Sequence, residues 1–186
     1  MHDVLRFHGV HGSGVALSDD RHVARRGAND FCNAIVFSEK PIKTGQKVCL
    51  EVSQSLEWSS ALRIGVTSHD PAQRHQESLP RFAVPELTSE RGYWAQALGE
   101  TQAAHGNQIM LYINQDGQLH YCVNREHQGV LVSGLPCDGT ALWLMVDVFG
   151  TTTAVKFVPA GRVNCSFSLC TCMYEYKWVH CTAHLS

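Results

Sequence analysis

Cys165, Cys170, Cys172, His180, Cys181 and His184 crowd the end of this 186-residue chain. Thiolate sulfur and imidazole nitrogen are the ligands that a tetrahedral zinc ion takes. The spacing nevertheless fits no common zinc module, and Cys-x-x-Cys occurs nowhere in the sequence. Cys165, Cys170, Cys172 and Cys181 are therefore candidate ligands only if residues 160–186 fold around an ion. Otherwise that segment reads as an irregular, cysteine-rich tail without a cofactor. His11 stands beside Gly12-Ser13-Gly14, which lacks the full Gly-x-Ser-x-Gly spacing of a nucleophile elbow. Asp147 lies in a nearly all-apolar run, where a buried carboxylate needs a partner. Arg63, in another core-like run, is one candidate for a structural pair. No catalytic set emerges.

Other residues are suited to gripping a partner. Trp58 stands at the mouth of a strand. Tyr93 and Trp94 follow the polar stretch Thr88 to Gly92, although core packing also suits Trp94. Aromatics with an apolar body and a polar tip make good interface anchors. Arg25 and Arg26 close the basic run Arg21-His22-Val23-Ala24-Arg25-Arg26, which could meet an acidic peptide or a lipid headgroup. Asp19, Asp20 and Asp30 blunt its field. With Arg63, these make the candidate partner-binding set: Trp58, Arg63, Tyr93, Trp94, Arg25 and Arg26.

These residues need a scaffold, and its signature is short strands. Val15–Ser18, Asn33–Phe37, Lys47–Val52, Ala61–Val66, Gln108–Ile113, Leu119–Val123, Gly129–Val132, Leu142–Phe149 and Thr152–Val158 all have strand composition. Lys47–Val52 alternates and so predicts one wet face, whereas Leu142–Val148 predicts a strand covered on both faces. Asp116-Gly117, between two β-rich runs, is the strongest hairpin signal. Ser68–Gln108 is the longest stretch without a continuous strand pattern, apart from the aromatic string Gly92-Tyr93-Trp94. Pro71, Pro80 and Pro85 exclude a central strand across its first part. That stretch either carries function or merely covers a sheet edge. Short strands with turn punctuation imply an all-β antiparallel sandwich or barrel. Net charge is −2, which gives no global attraction for nucleic acid or anionic membrane. No apolar run reaches the roughly 20 residues of a spanning helix, and no signal peptide is visible at the start. A reducing compartment follows as the expectation, with Cys32, Cys49 and Cys122 as buried thiols.

The strings Phe31-Cys32-Asn33-Ala34-Ile35, Ala61-Leu62-Arg63-Ile64-Gly65-Val66-Thr67-Ser68, Ser78-Leu79-Pro80-Arg81-Phe82-Ala83, Gly92-Tyr93-Trp94 and Trp143-Leu144-Met145-Val146-Asp147-Val148-Phe149-Gly150 occur in that order. Together they resemble the Neuralized homology repeat of the Neuralized-like E3 ubiquitin ligases, in the short single-repeat type. The resemblance implies a concanavalin-like jelly-roll sandwich related to SPRY domains, spanning residues 5–159. It also implies a protein-recognition module that catalyses nothing itself. Its expected partners are ubiquitination substrates, including cytoplasmic tails of Notch ligands, and its expected location is the cytoplasm. In relatives a RING finger supplies the ligase step; no RING is recognisable in residues 160–186. Two alternatives are ligase activity of the chain itself, with zinc held at the tail, and a carbohydrate-binding sandwich.

Overall fold

The computed structural model describes residues 4–27, 29–55, 62–150 and 152–160. The strands are β1 Val15–Leu17, β2 Val23–Arg26, β3 Ile35–Phe37, β4 Val48–Ser55, β5 Arg63–Thr67 and β6 Tyr93–Ala97. They continue with β7 Gln108–Ile113, β8 Leu119–Val123, β9 Glu126–Val132, β10 Trp143–Asp147 and β11 Thr152–Val158. One sheet has the order β1-β2-β11-β4-β7-β8-β9 and the other β3-β10-β5-β6. Every pairing is antiparallel. This is the expected sandwich. Among the described residues no helix is long and apolar enough to cross a membrane.

Period-two alternation decides which side chains enter the space between the sheets. Leu50, Val52, Ile109, Leu111, Val155 and Phe157 come from the larger sheet, and Val36, Ile64, Val66, Leu144 and Val146 from the smaller. The hairpin at Asn114 forms as expected. Asn114 Oδ1 accepts the Asp116 and Gln118 amides at 3.0 and 2.9 Å, and Gly117 takes φ 68°.

The smaller sheet is dry on its outer face as well. Ile35, Phe37, Tyr93 and Met145 pack there under Ala83 and Leu87. Leu87 lies in one of three short 3-10 turns, Pro71–Gln73, Gln76–Ser78 and Leu87–Ser89. The segment between β5 and β6 is thus a lid over a sheet face. β10 is covered on both sides, as its apolar run predicts. Tyr93–Ala97 forms a full strand inside the stretch read as irregular, because pairing with β5 supplies what its short pattern lacks.

One expectation changes on the larger sheet, at Cys122. Cys49 is the buried free thiol expected, in a small cluster with Met110 and Cys122 on the outer side of β4. Burial pushes the Cys49 thiol up to about 12. Cys122 is disulfide-bonded and so is not the thiol expected there. On the smaller sheet, Trp143 is half-buried, on the face it shares with Met145.

β5 and β6 approach so closely at Gly65 that an added Cβ would lie 1.8 Å from the Trp94 carbonyl oxygen. That atom belongs to a paired strand and cannot move alone. Gly65→Ala is expected to cost about 1–3 kcal/mol of stability, as overpacked cores do. Urea denaturation checks this, and an unchanged midpoint would show that the strands separate freely.

Candidate functional site

The end of the sandwich where β5 starts and β10 stops is organised by one carboxylate. Asp147 closes β10 opposite Arg63, and both side chains lie on the lid side of the smaller sheet. Arg63 Nη1 donates to Asp147 Oδ2 at 3.1 Å, and the Ala83 amide donates to the same oxygen at 2.9 Å. Asp147 is 1% exposed, and its Oδ1 has no partner. Burial pushes the carboxyl above its ordinary value, while the Ala83 amide and the Arg63 charge pull it back toward the ionised form. The Arg63 guanidinium also lies 3.8 Å from the Phe149 ring centroid. Phe149 meets Phe82 edge to face at 5.5 Å.

Arg26 does comparable work from β2. It is 4% exposed and donates to the carbonyls of Gly150 at 2.6 Å and Thr152 at 3.1 Å, and also to that of Asp30. These bonds tie the β2–β3 loop to the β10–β11 loop. The lid joins them: the Asn33 amide donates to the Arg81 carbonyl at 2.8 Å. The outer rim of this framework holds exposed Arg81, half-buried Phe82 and Phe149, and Phe31, which is 62% exposed. Phe31 and Val130 are the exposed large hydrophobics among the described residues. The arrangement offers apolar and cationic contact surface on fixed loops. Among the described residues, His11 Nδ1 sits 2.9 Å from the Gly12 carbonyl oxygen and makes no hydrogen bond to Ser13.

The Neuralized family pattern matches residues 7–159. The chain belongs to the Neuralized family. Protein neuralized of Drosophila virilis is 38% identical over 157 residues, covering 84% of this chain and 21% of that protein. The E3 ubiquitin-protein ligase NEURL3 of Mus musculus is 37% identical over 158 residues, covering 84% of this chain and 62% of the ligase. The chain therefore spans about a fifth of the fly protein and under two thirds of the mouse one. The crystal structure of the Drosophila melanogaster neuralized NHR1 domain superposes with a TM-score of 0.80 at 35% identity. It covers 84% of this chain and 99% of that one. The TRIM65 PSpry domain, at 12% identity and TM-score 0.56, shares the fold.

Within this Neuralized repeat the candidate residues separate. Arg63 and Arg26 both lie near Asp147 and act within the framework. Arg25 points outward and is exposed. Tyr93 and Trp94 lie toward the far end of β6, three to four residues from Ala97, the partner of Arg63. At about 3.3 Å per residue that is roughly 10–13 Å away. Tyr93 is 4% exposed, stacks on His69 at 4.9 Å and lies under the Arg74 guanidinium at 5.1 Å. It anchors the lid. Trp94 faces the other way and packs partly against the central core. Trp58 and the tail cysteines Cys165, Cys170, Cys172 and Cys181 lie outside the described residues. The rim residues Phe31, Arg81, Phe82 and Phe149 were not singled out from sequence. No local signal marks them, because packing between segments distant in the chain decides which loop side chains stay exposed.

Removing one partner of a buried ion pair leaves the other charge without compensation. Arg63→Met is expected to cost about 3–5 kcal/mol near neutral pH. The orphaned Asp147 carboxyl then titrates above its unfolded value. Its stabilising, protonated form is present at low pH and lost as pH rises. Part of the deficit should therefore return on acidification. Chemical denaturation across pH checks this, and a pH-independent deficit contradicts it.

Proposed function

We propose that this Neuralized repeat is the substrate-recognition module of a ubiquitin-pathway protein. The rim of Phe31, Arg81, Phe82 and Phe149 grips a polypeptide, and a RING like that of the relatives ubiquitinates it. The observation that carries this reading is Phe31, largely exposed with the Arg26 guanidinium 5.7 Å from its ring centroid, on loops fixed by the Asp147 and Arg26 networks. Burying a pre-placed aromatic costs little conformational entropy, and aromatic and arginine side chains dominate interface energetics. Binding loops on a rigid sandwich are a common solution to recognition. The bound polypeptide is a cytoplasmic segment such as a Notch-ligand tail, and the protein acts in the cytoplasm.

The test is calorimetry with a purified Notch-ligand cytoplasmic tail. Phe31→Ser with Arg81→Glu is expected to weaken binding by about tenfold or more, which is about 1.4 kcal/mol, without moving the thermal midpoint. Unchanged affinity in that folded double variant would remove the rim from the site.

A further inference from the structure

A concavity lies at the end of the sandwich opposite the Asp147 framework, where β4 starts and β11 stops. It encloses about 930 Å³ between the N-terminal segment, the β3–β4 loop and the end of β11. Ligand cavities typically span roughly 300–1,000 Å³. Its rim carries Arg6, Lys40, Lys43 and Lys47, all exposed. The carboxylate on the rim, Glu39, is already paired with Arg21 at 2.5 Å. Leu5, Pro41 and Val158 supply apolar lining. Arg6, Lys43 and Lys47 thus give a chain of net charge −2 a cationic border around one partly apolar hollow.

The walls are fixed. The Glu39 amide donates to the Arg6 carbonyl at 2.8 Å, joining the N-terminal segment to the loop. The Ile42 amide donates to the Leu142 carbonyl at 2.7 Å, and the Gly45 amide to the Ile113 carbonyl at 2.8 Å. Both sheets therefore hold the loop that presents the lysines.

We propose that this hollow is a second docking site, for an acidic peptide segment carrying apolar side chains. Cations on the rim attract the carboxylates, and the lining takes the apolar residues between them. The chain's own residues 161–186 complement the rim poorly, since they hold Arg162 and Lys177 against Glu175. A nucleic-acid strand would want stacking aromatics, and the aromatic here, Phe157, is 2% exposed. A membrane surface would meet a hollow rather than a projecting apolar face.

The experiment is fluorescence anisotropy on the full chain with a short labelled peptide of alternating leucine and glutamate. Its leucine–lysine counterpart, anionic vesicles of phosphatidylserine and a homopolymer RNA serve as competing probes. The acidic peptide should bind, and should weaken as salt rises from about 50 to about 500 mM, because exposed ion pairs are screened. Arg6→Glu, Lys43→Glu and Lys47→Glu together should weaken it by about tenfold or more. Lys43→Gln with Lys47→Gln, which introduces no new charge, should weaken it by about threefold. Phe31→Ser with Arg81→Glu should leave it unchanged, so this site and the rim described above fail separately. No binding, equal binding of the lysine peptide, indifference to both sets of substitutions, or binding of vesicles or RNA in place of the peptide would overturn the proposal.

Discussion

A buried carboxylate with two donors on one oxygen is the constraint on which one end of the sandwich depends. Asp147 sits on an otherwise apolar strand and is sealed under the lid. Water cannot compensate it there, so the Arg63 guanidinium and the Ala83 amide must stay in place. That requirement fixes the lid over β10. It also holds Arg63 across Phe149, and so positions the ring that meets Phe82. Replacing a buried ion pair by well-packed apolar residues is often neutral or stabilising, so stability is weak grounds for such a network. Here it also sets the places of side chains that project to the rim.

The lid explains why the smaller sheet is apolar on two faces. Pro71 and Pro80 deny the segment a central place in a sheet, so it crosses the outer face in short 3-10 turns. Leu87 and Ala83 bury there against Ile35, Phe37 and Met145. Tyr93 fastens the other end of the lid through His69 and Arg74, and Arg74 is paired with Glu90 at 2.7 Å. The lid is thus held at both ends of the strands that it covers. The rim residues inherit that rigidity, which lowers the ordering cost of any contact they make.

Much of this was legible in the sequence. Alternating and apolar runs marked most strands, the Asp-Gly step marked a hairpin, and the isolated Asp147 pointed to Arg63. The order of the tryptophan strings pointed to the family. The site was harder to read. Arg26 looked like a surface cation because its neighbours are basic, yet the fold spends it on carbonyls of a loop more than a hundred residues away. Tyr93 and Trp94 have the composition of interface anchors, but a lid covers one and the core takes much of the other. Phe31 was passed over because nothing local distinguishes an exposed loop phenylalanine from a buried one. These are long-range effects, and spacing along the chain does not carry them.

The sandwich therefore presents two unlike ends: one with aromatics and arginines on tied loops, the other with lysines around a hollow. The role proposed for the first end is contact with a bound polypeptide. Amide chemical shifts followed during titration with a Notch-ligand tail test it most directly. The expected changes cluster in residues 29–34, 79–83 and 148–150, with the outer face of β7 and β8 unmoved. Changes confined to that sheet face, with the three loops silent, would contradict the account.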